Sequence, residues 1–409
     1  MPTVHRCSRG NWTRGNRGTF ATDCTRGGRG LWPQVLCLQA LAVAGVAIFA
    51  TAAAQAAEPC FVKSRCEMIS AAPPHIDCER IARQIDRAIC ADAAAAKADD
   101  ALRAAYAHDM KQLSSQSGLR LRDSQRSFLR ATDELCTQMP GAPDDIPTPK
   151  AIAVCVAGHY QKRATALTHS VFAAGNHLFY TLVTYRARIA PAGPKNDLDK
   201  PFAVIEEDTL VQIDSPINSA EVAWNTNARA QLKQEMAGAR QWEDGGSAQA
   251  TFESDDYDDV YVTQALVSAS PDLIVSTLSG STYWAGAAHP REWDSTATSW
   301  SLTRGRALTA SDILDLGKMS AKVLTAMAQE RLKGLAVSDP PEAELRDTEN
   351  VRRWQPMPDG LHIVYIQYEL GGYLSAADAT VPWAKLKPYL RKDLPFDPAK
   401  LEVASGIQY

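Results

Sequence analysis

Cysteines are the residues whose number and spacing offer the clearest chemistry in this chain. Three of the nine cysteines lie near the N-terminus, in a segment that we expect to be removed. The other six all precede residue 156: Cys60, Cys66, Cys78, Cys90, Cys136 and Cys155. An even number of cysteines within a short segment is typical of a disulfide framework in an exported protein. A zinc site is the alternative, but the sequence lacks the closely spaced Cys-x-x-Cys pairs that such sites use. We therefore predict disulfide bonds.

The connectivity of these six cysteines is open from sequence alone, because six cysteines can pair in many ways. We favour the pairing of sequence neighbours: Cys60–Cys66, Cys78–Cys90 and Cys136–Cys155. The last of these bonds would close the loop between two predicted helices. Closing a loop of that length stabilises the fold by about 3 kcal/mol in the chain-entropy model.

Motifs that would indicate an enzyme are incomplete or missing in this sequence. A metal-dependent hydrolase needs an aspartate and two histidines held together. Residues 251–256 resemble the strand end of polysaccharide deacetylases, but only His289 and His362 follow in later strands. Nucleophile-elbow, HExxH, phosphate-loop and dinucleotide-binding motifs are missing. A glycosidase remains an open alternative, since two suitably spaced carboxylates leave no signature. We predict a protein that is not an enzyme, with no catalytic residues, cofactor or metal.

An acidic run offers binding chemistry instead. It holds five carboxylates: Glu253, Asp255, Asp256, Asp258 and Asp259. A solvated loop is the simplest interpretation, and calcium binding is poorly supported because the glycine and distal glutamate of an EF-hand loop are missing. The third interpretation is electrostatic steering of a cationic partner. The nearby stretch Ser279–Tyr283 resembles a loop that some lysozyme inhibitors insert into the catalytic cleft. We predict a partner-binding set of Asp255, Asp256, Asp258, Asp259, Tyr283 and His289.

The first 57 residues predict an export signal. An Arg- and Gly-rich stretch precedes an apolar run from Leu36 to Ala57 that ends in small residues. That order is typical of a secretory signal peptide. An uncleaved anchor is the alternative, because about 20 apolar residues can span a bilayer. We expect a periplasmic or secreted protein that meets the membrane only through this transient signal.

Composition and charge indicate the class of protein and the division of the chain into domains. Of 409 residues, 45% are hydrophobic and 22% are charged, which is typical of a globular protein and not of a disordered one. The net charge of −4 argues against a nucleic-acid partner. Residues 171–409 carry 32 Asp and Glu against 22 Lys and Arg, whereas residues 58–170 are nearly neutral. We therefore predict a signal peptide at 1–57 and domains at 58–170 and 171–409.

The first predicted domain is helical. Apolar residues recur at helical spacing from Asp77 to Met110, and alanine is frequent there. Ser114–Gly118 is a polar break, and two more helices are predicted at Leu119–Cys136 and Lys150–Leu167. A Pro- and Asp-rich loop separates these last two helices.

Several linked motifs in this domain resemble those of the LprI-like family, which is named for a bacterial lysozyme inhibitor. The motifs are Asp77-Cys78, Cys90-Ala-Asp92, Gln125-Arg126-x-Phe128-Leu129, and Cys155 followed by Tyr160 and Arg163. Phe128 stands where the family usually has tryptophan. The resemblance implies a lysozyme-binding role. Asp99, Arg126 and Arg163 are expected to be an ion-paired set that fixes the helices.

The second predicted domain changes to strand patterns. Residues 177–190, 260–269, 273–283, 296–302 and 360–368 are rich in β-branched and aromatic residues and are bounded by turns. Helices are predicted at 217–236 and 320–335. Strands in series with few helices favour an α+β domain with a mainly antiparallel sheet. The predicted fold class is thus a disulfide-stapled helical domain followed by an α+β domain.

Three segments of this second domain resemble the C-terminal extracytoplasmic domain of the RsiV anti-sigma factor. They are Tyr283–Pro290, Leu308–Leu314 and Tyr368–Leu386. The same domain accompanies PdaC-type peptidoglycan deacetylases, and in RsiV it receives lysozyme. The anti-sigma membrane helix and cytoplasmic segment have no counterpart here, so a signalling role is not expected.

Together these observations predict an exported binding protein of the bacterial envelope. The expected partner is a lysozyme or a related cationic glycan hydrolase. The alternative is a protein that binds or processes peptidoglycan or another cell-wall glycan, since aromatic side chains such as Trp284, Trp293, Trp300 and Trp383 suit stacking on sugars.

Overall fold

The computed structural model describes residues 76–404 except 77, 80, 82, 139–146, 191–201, 242–258, 284–290, 333–345 and 366–376. Within these ranges, none of the helices combines the length and apolar character that crossing a bilayer requires. Cys60 and Cys66 lie outside the described residues.

The first part of the described chain is a helical bundle. Its helices are α1 (Gln84–Ala91), α2 (Ala93–Gln112), α3 (Ser115–Thr137) and α4 (Pro149–Leu167). The helices pack around a shared core that includes the buried side chains of Leu102, Leu121 and Ile152. Polar residues cap three of the helices: Asp92 begins α2, Ser114 begins α3 and Thr148 begins α4. Each cap accepts a hydrogen bond from backbone N–H groups that have no partner within the helix.

One predicted helix, Asp77–Met110, is divided in the structure. Asp92 has extended backbone angles, and its Oδ1 accepts hydrogen bonds from the backbone N–H groups of Ala94 and Ala95 at 2.9 and 3.0 Å. This side chain therefore ends α1 and starts α2. The sequence predicted a single helix because the apolar residues of α1 and α2 keep helical spacing across the break, and both sets face the same core.

Two disulfide bonds hold the helical bundle. Cys78 is bonded to Cys90, and Cys136 is bonded to Cys155. The second bond joins the last turn of α3 to α4 and closes the loop between them. Both bonds belong to the favoured pairing of sequence neighbours.

The second part is built on an eight-stranded sheet. Its strands are β1 (Val171–Ala174), β2 (His177–Ala190), β3 (Phe202–Ile213), β4 (Asp259–Ala269), β5 (Leu273–Tyr283), β6 (Arg291–Ser301) and β7 (Arg306–Ala307) in spatial order. The eighth strand, β11 (Glu402–Val403), pairs with β4. Only β3 and β4 run parallel among these paired strands. A parallel pair needs a crossover connection, and α5 (Ser219–Gln241) lies between those two strands in the chain.

A smaller sheet completes this part. It has three antiparallel strands, β8 (Trp354–Met357), β9 (Gly360–Tyr365) and β10 (Ala377–Pro382), in the spatial order β10-β9-β8. Short helices accompany it: α6 (Ala310–Ile313), α7 (Ala321–Leu332) and α8 (Trp383–Leu386), with 3-10 turns at Arg346–Glu349, Val351–Arg353, Lys387–Tyr389 and Pro398–Lys400.

The large sheet is covered on both faces, and β5 shows this directly. Ile274 belongs to a core that α5 completes with Trp224 and Leu232. Its neighbours Leu273 and Val275 point the other way, into a core shared with the small sheet. Successive strand residues point to opposite faces, so a strand with continuous apolar residues must be buried on both sides. The helical bundle followed by mainly antiparallel sheets is the predicted fold class.

Candidate functional site

The helical bundle covers an open edge of the large sheet. Since β1 is short, the middle of β2 has no strand on its outer side within the described residues. Ser124 of α3 donates to the backbone carbonyl of Val183 at 2.7 Å, and its hydroxyl accepts from the Val183 N–H at 3.4 Å. Ser127 accepts from the N–H of Tyr185 at 3.1 Å. These side chains supply the hydrogen bonds that an adjacent strand would make and thereby protect the edge.

Arg163 of α4 lies at the centre of this contact. It is buried, and its guanidinium donates to Ser124 Oγ at 2.9 Å and to Gln125 Oε1 at 3.3 Å. The guanidinium carbon also lies 5.8 Å from the centre of the Phe128 ring and 5.7 Å from that of Tyr185. Arginine suits this position because its planar group donates in several directions while it stacks on aromatic rings.

This geometry corrects the expected ion-paired set. Arg163 contacts an amide, a hydroxyl and two rings, and its side chain forms no salt bridge in the described part of the chain. Arg126 is exposed, and its partner is Asp123 at 3.7 Å on the same helix. Asp99 is buried and has a partner of its own. Phe128, which replaces the usual tryptophan, packs against Tyr185 with ring centroids 5.3 Å apart, so it is a core residue.

A row of polar and aromatic side chains continues across the sheet from Tyr185. Tyr185 is paired with Glu207, Glu207 with Tyr261, and Tyr261 with Ser281. Residues directly opposite one another in neighbouring strands share a face of the sheet. We call this row, together with the adjacent pair Asp259 and Tyr283, the Glu207 face.

The structure thus brings two predicted partner-binding residues together. Asp259 is directly opposite Tyr283 at the start of β4 and the end of β5. Tyr283 is exposed, whereas Asp259 is half-buried and has a structural contact. Its Oδ1 accepts the backbone N–H of Ile205 at 2.7 Å, which ties β4 to β3. Asp255, Asp256, Asp258 and His289 lie outside the described residues.

Glu207 is the member of this face with the most unusual environment. Its carboxylate is half-buried and has no hydrogen-bond partner in the described structure. Burial raises the pKa of Glu207, and the positive charges of Lys162 and Arg163 on α4 oppose that shift. The pKa of the neighbouring Tyr261 phenol is also raised, first by burial and then by the negative charges of Asp259 and Glu207. A half-buried carboxylate with open acceptor positions can receive hydroxyl or cationic donors from a ligand.

Sequence reasoning missed Glu207 and Tyr261. The strand Phe202–Ile213 was not predicted, and Glu207 stands within it. Tyr261 stood in a predicted strand, but only pairing shows that it lies beside Glu207. Two of the aromatic residues considered for sugar stacking have structural contacts: Trp300 is buried, and the half-buried Trp383 donates from Nε1 to the carbonyl of Met357 at 2.7 Å.

The candidate metal ligands have other partners. His362 on β9 lies between two carboxylates, with Nδ1 3.0 Å from Asp378 and Nε2 2.8 Å from Asp359. Burial lowers the pKa of His362, but these two hydrogen bonds outweigh it, so that the pKa is raised. The sulfurs of Cys136 and Cys155 lie near His159. They are bonded to each other and therefore do not serve as thiolate ligands.

Comparison with known proteins gives one family match. Residues 77–167 match the family described as lysozyme inhibitor LprI. No curated protein matches the chain.

Two solved structures are similar to part of the chain. A DUF3298 family protein from Pseudomonas aeruginosa PAO1 is 15% identical, with a TM-score of 0.36, and the match covers 53% of this chain and 97% of that one. A DUF3298 family member from Bacteroides fragilis is 14% identical, with a TM-score of 0.35, and the match covers 52% of this chain and 94% of that one.

Replacement of Glu207 should show how much its negative charge lowers the free energy of unfolding. A carboxyl group whose pKa is raised on folding destabilises the folded state once it ionises, so stability falls as pH rises through the raised pKa. We therefore expect Glu207→Gln to gain stability relative to the parent as pH rises from about 4 to about 8. Urea unfolding at both pH values measures this difference. Glu349→Gln, at an exposed position, is the matched control. A Glu207→Gln effect that is constant with pH would show that burial does not disfavour the carboxylate.

Proposed function

We propose that this protein binds and inhibits a lysozyme or a related cationic glycan hydrolase in the bacterial envelope. The observation that carries this proposal is the match of residues 77–167 to the lysozyme inhibitor LprI family. The match describes an inhibitor family, which favours a binding protein over an enzyme. The similarity of the second part to the lysozyme-receiving region of RsiV rests on the sequence segments alone and belongs to the same proposal.

The disulfide bonds support the location of this protein in an oxidising compartment. Two disulfides hold the helical bundle, and such bonds persist mainly in exported proteins. The basic and apolar order of residues 1–57 agrees with export through a signal peptide. We propose a periplasmic or secreted protein whose membrane contact ends when the signal is removed.

The partner surface is proposed to lie on the acidic second part of the chain. Several motif residues of the LprI-like region, among them Gln125, Phe128 and Arg163, are buried and therefore do not contact a partner directly. The Glu207 face instead offers a half-buried carboxylate and the exposed Tyr283. The acidic run at 253–258 directly precedes Asp259 in the sequence and contributes to the negative charge of the second part of the chain. Such a surface complements a cationic enzyme.

Binding kinetics with immobilised cationic lysozyme test this surface. The triple variant Asp255→Asn/Asp256→Asn/Asp258→Asn removes steering charge and keeps the structural Asp259. We expect about a tenfold slower association at low salt and a smaller difference at high salt, because salt screens long-range attraction. The dissociation rate should change little. The control removes three charges from the helical bundle: Asp100→Asn, Asp123→Asn and Glu134→Gln.

Substitutions of Tyr283 and His289 by alanine test the close contact. If residues 283–290 enter the cleft of the enzyme, these variants should dissociate faster while their association rates stay near that of the parent. Failure of the parent protein to bind or inhibit would refute the function for that lysozyme class. A stronger effect of the helical control triple would move the contact surface to the bundle.

A second candidate function is glycan binding, and Glu207 favours it. A carboxylate beside the Tyr261 ring can accept sugar hydroxyl groups while that ring offers apolar contact. Pull-down with purified peptidoglycan and with immobilised lysozyme, each at low and high salt, separates the two functions. Retention on peptidoglycan that Glu207→Gln abolishes would support glycan binding. Salt-sensitive retention on lysozyme alone would support the first proposal.

A further inference from the structure

Two arginines from separate parts of the chain meet at one buried amide oxygen. Arg120 on α3 donates from Nη1 to Gln212 Oε1 at 3.1 Å. Arg229 on α5 donates from Nη1 to the same oxygen. Gln212 lies on β3 and is fully buried. The two guanidinium groups therefore lie within about 6 Å of each other, a distance at which like charges repel strongly.

The orientation of Gln212 is set by the protein. Its Nε2 donates to the carbonyls of Val211 and Asn225 at 3.1 and 3.2 Å. Asn225 is in turn held by two hydrogen bonds to the backbone of Ile213. With the amide nitrogen engaged in this way, the oxygen must point toward the arginines. The position of the two cations is thus built into the junction between α3, β3 and α5.

Neither arginine has a carboxylate partner in the described part of the chain. A guanidinium has five N–H donors. Arg120 uses one of them on Gln212, and Arg229 adds one hydrogen bond to Thr226 at 3.3 Å. Burial and the nearby Arg120 lower the pKa of Arg229, which reflects the missing counter-charge. Both side chains are only half-buried, so their remaining donors can be reached from solvent.

A cavity opens beside Arg229. It has a volume of about 250 Å³ and is lined by Asp208, Leu210, Arg229, Leu232, Lys233 and Met236. Lys233 follows Arg229 by one helical turn on α5, so both cations point to the same side. Asp208 is the acidic residue in the lining, and it has a partner of its own. Two cations of the lining, Arg229 and Lys233, outnumber its one carboxylate, and Arg120 adds a third positive charge at Gln212.

We propose that this junction binds a phosphate group, either as the free ion or at the end of a larger molecule. Arginine pairs bind phosphate oxygens with short, charge-assisted hydrogen bonds. A dianion fits the excess charge better than a single carboxylate. Because Arg120 belongs to the helical bundle and Arg229 to the sheet-containing part, the bound phosphate joins the two parts and stabilises their contact.

Calorimetric titration of the full mature protein with inorganic phosphate tests this proposal. We expect one site per chain, and at least tenfold weaker binding in Arg120→Gln and in Arg229→Gln. The control is Arg130→Gln, which removes the same charge from an exposed position of α3 and should bind phosphate like the parent. Thermal unfolding at matched ionic strength is the second measurement. Phosphate should raise the unfolding temperature of the parent and of the control more than that of the two junction variants.

A titration with glycerol 3-phosphate distinguishes the two sources of the group. Tighter binding of the ester than of the free ion would assign the site to a phosphate carried by a larger molecule, and the reverse order would assign it to the free ion. The titration of the parent protein does not depend on how well the variants fold. No phosphate or ester binding to the parent would overturn the proposal, as would equal binding by the parent and both junction variants.

Discussion

Arg163→Ala is expected to lower the free energy of unfolding by about 3 kcal/mol. The substitution removes hydrogen bonds from a charged group to Ser124 and Gln125, each of which contributes about 1.5 kcal/mol or more when buried. It also removes the stacking on Phe128 and Tyr185. Because these partners join α3 and α4 to β2, the loss should loosen the contact between the bundle and the sheet. Urea unfolding followed by circular dichroism measures the change.

Arg126→Ala is the matched control, because Arg126 also belongs to the LprI-like motifs but is exposed. Its ion pair with Asp123 spans 3.7 Å on the surface, and such pairs contribute less than about 1 kcal/mol. Arg163→Lys should fall between the parent and Arg163→Ala, since lysine keeps the charge but loses the planar donor group. If Arg163→Ala were as mild as Arg126→Ala, Arg163 would not hold the junction.

Removal of the bond between Cys136 and Cys155 should have an effect of similar size. The double variant Cys136→Ala/Cys155→Ala reopens a loop with a sequence separation of 19. Loss of that constraint on the unfolded chain costs about 3 kcal/mol. Cys136 is also fully buried in the core of the bundle, so the smaller alanine adds a packing loss. Urea unfolding without reducing agent gives the difference.

Removal of the bond between Cys78 and Cys90 provides a comparison for the loss of stability. Cys78 and Cys90 are separated by 12 residues, and the shorter loop predicts a cost lower by a few tenths of a kcal/mol. Mass spectrometry of the parent protein under non-reducing conditions should detect three internal disulfides, including Cys60–Cys66, and no free thiol. A free thiol at Cys136 or Cys155 would contradict the proposed role of that bond.

The buried residues of the LprI-like motifs have a structural role in this chain. Gln125 and Arg163 contact each other and hold β2 through Ser124. In this chain the motif therefore maintains the junction between bundle and sheet. Variants at these positions should affect stability first, which is why the binding experiments use Asp255, Asp256, Asp258, Tyr283 and His289 instead.

Local patterns in the sequence determined most of the secondary structure. The strand predicted at 177–190 is β2, and the one predicted at 273–283 is β5. Alternating or continuous apolar residues identify such strands, because burial on one or two faces requires them. Cys78–Cys90 and Cys136–Cys155 belong to the pairing of sequence neighbours that was favoured, but the sequence left other pairings open and the structure decided between them.

The tertiary structure decided which side chains lie together. Parallel pairing of β3 with β4 places Glu207 beside Tyr261, although the crossover helix α5 separates the two residues along the chain. The meeting of Arg120 and Arg229 at Gln212 likewise joins residues far apart in the chain. Sequence spacing reports only contacts within one helix, strand or turn. Strand order and helix packing bring distant residues together, so the Glu207 face and the arginine junction emerged only from the fold.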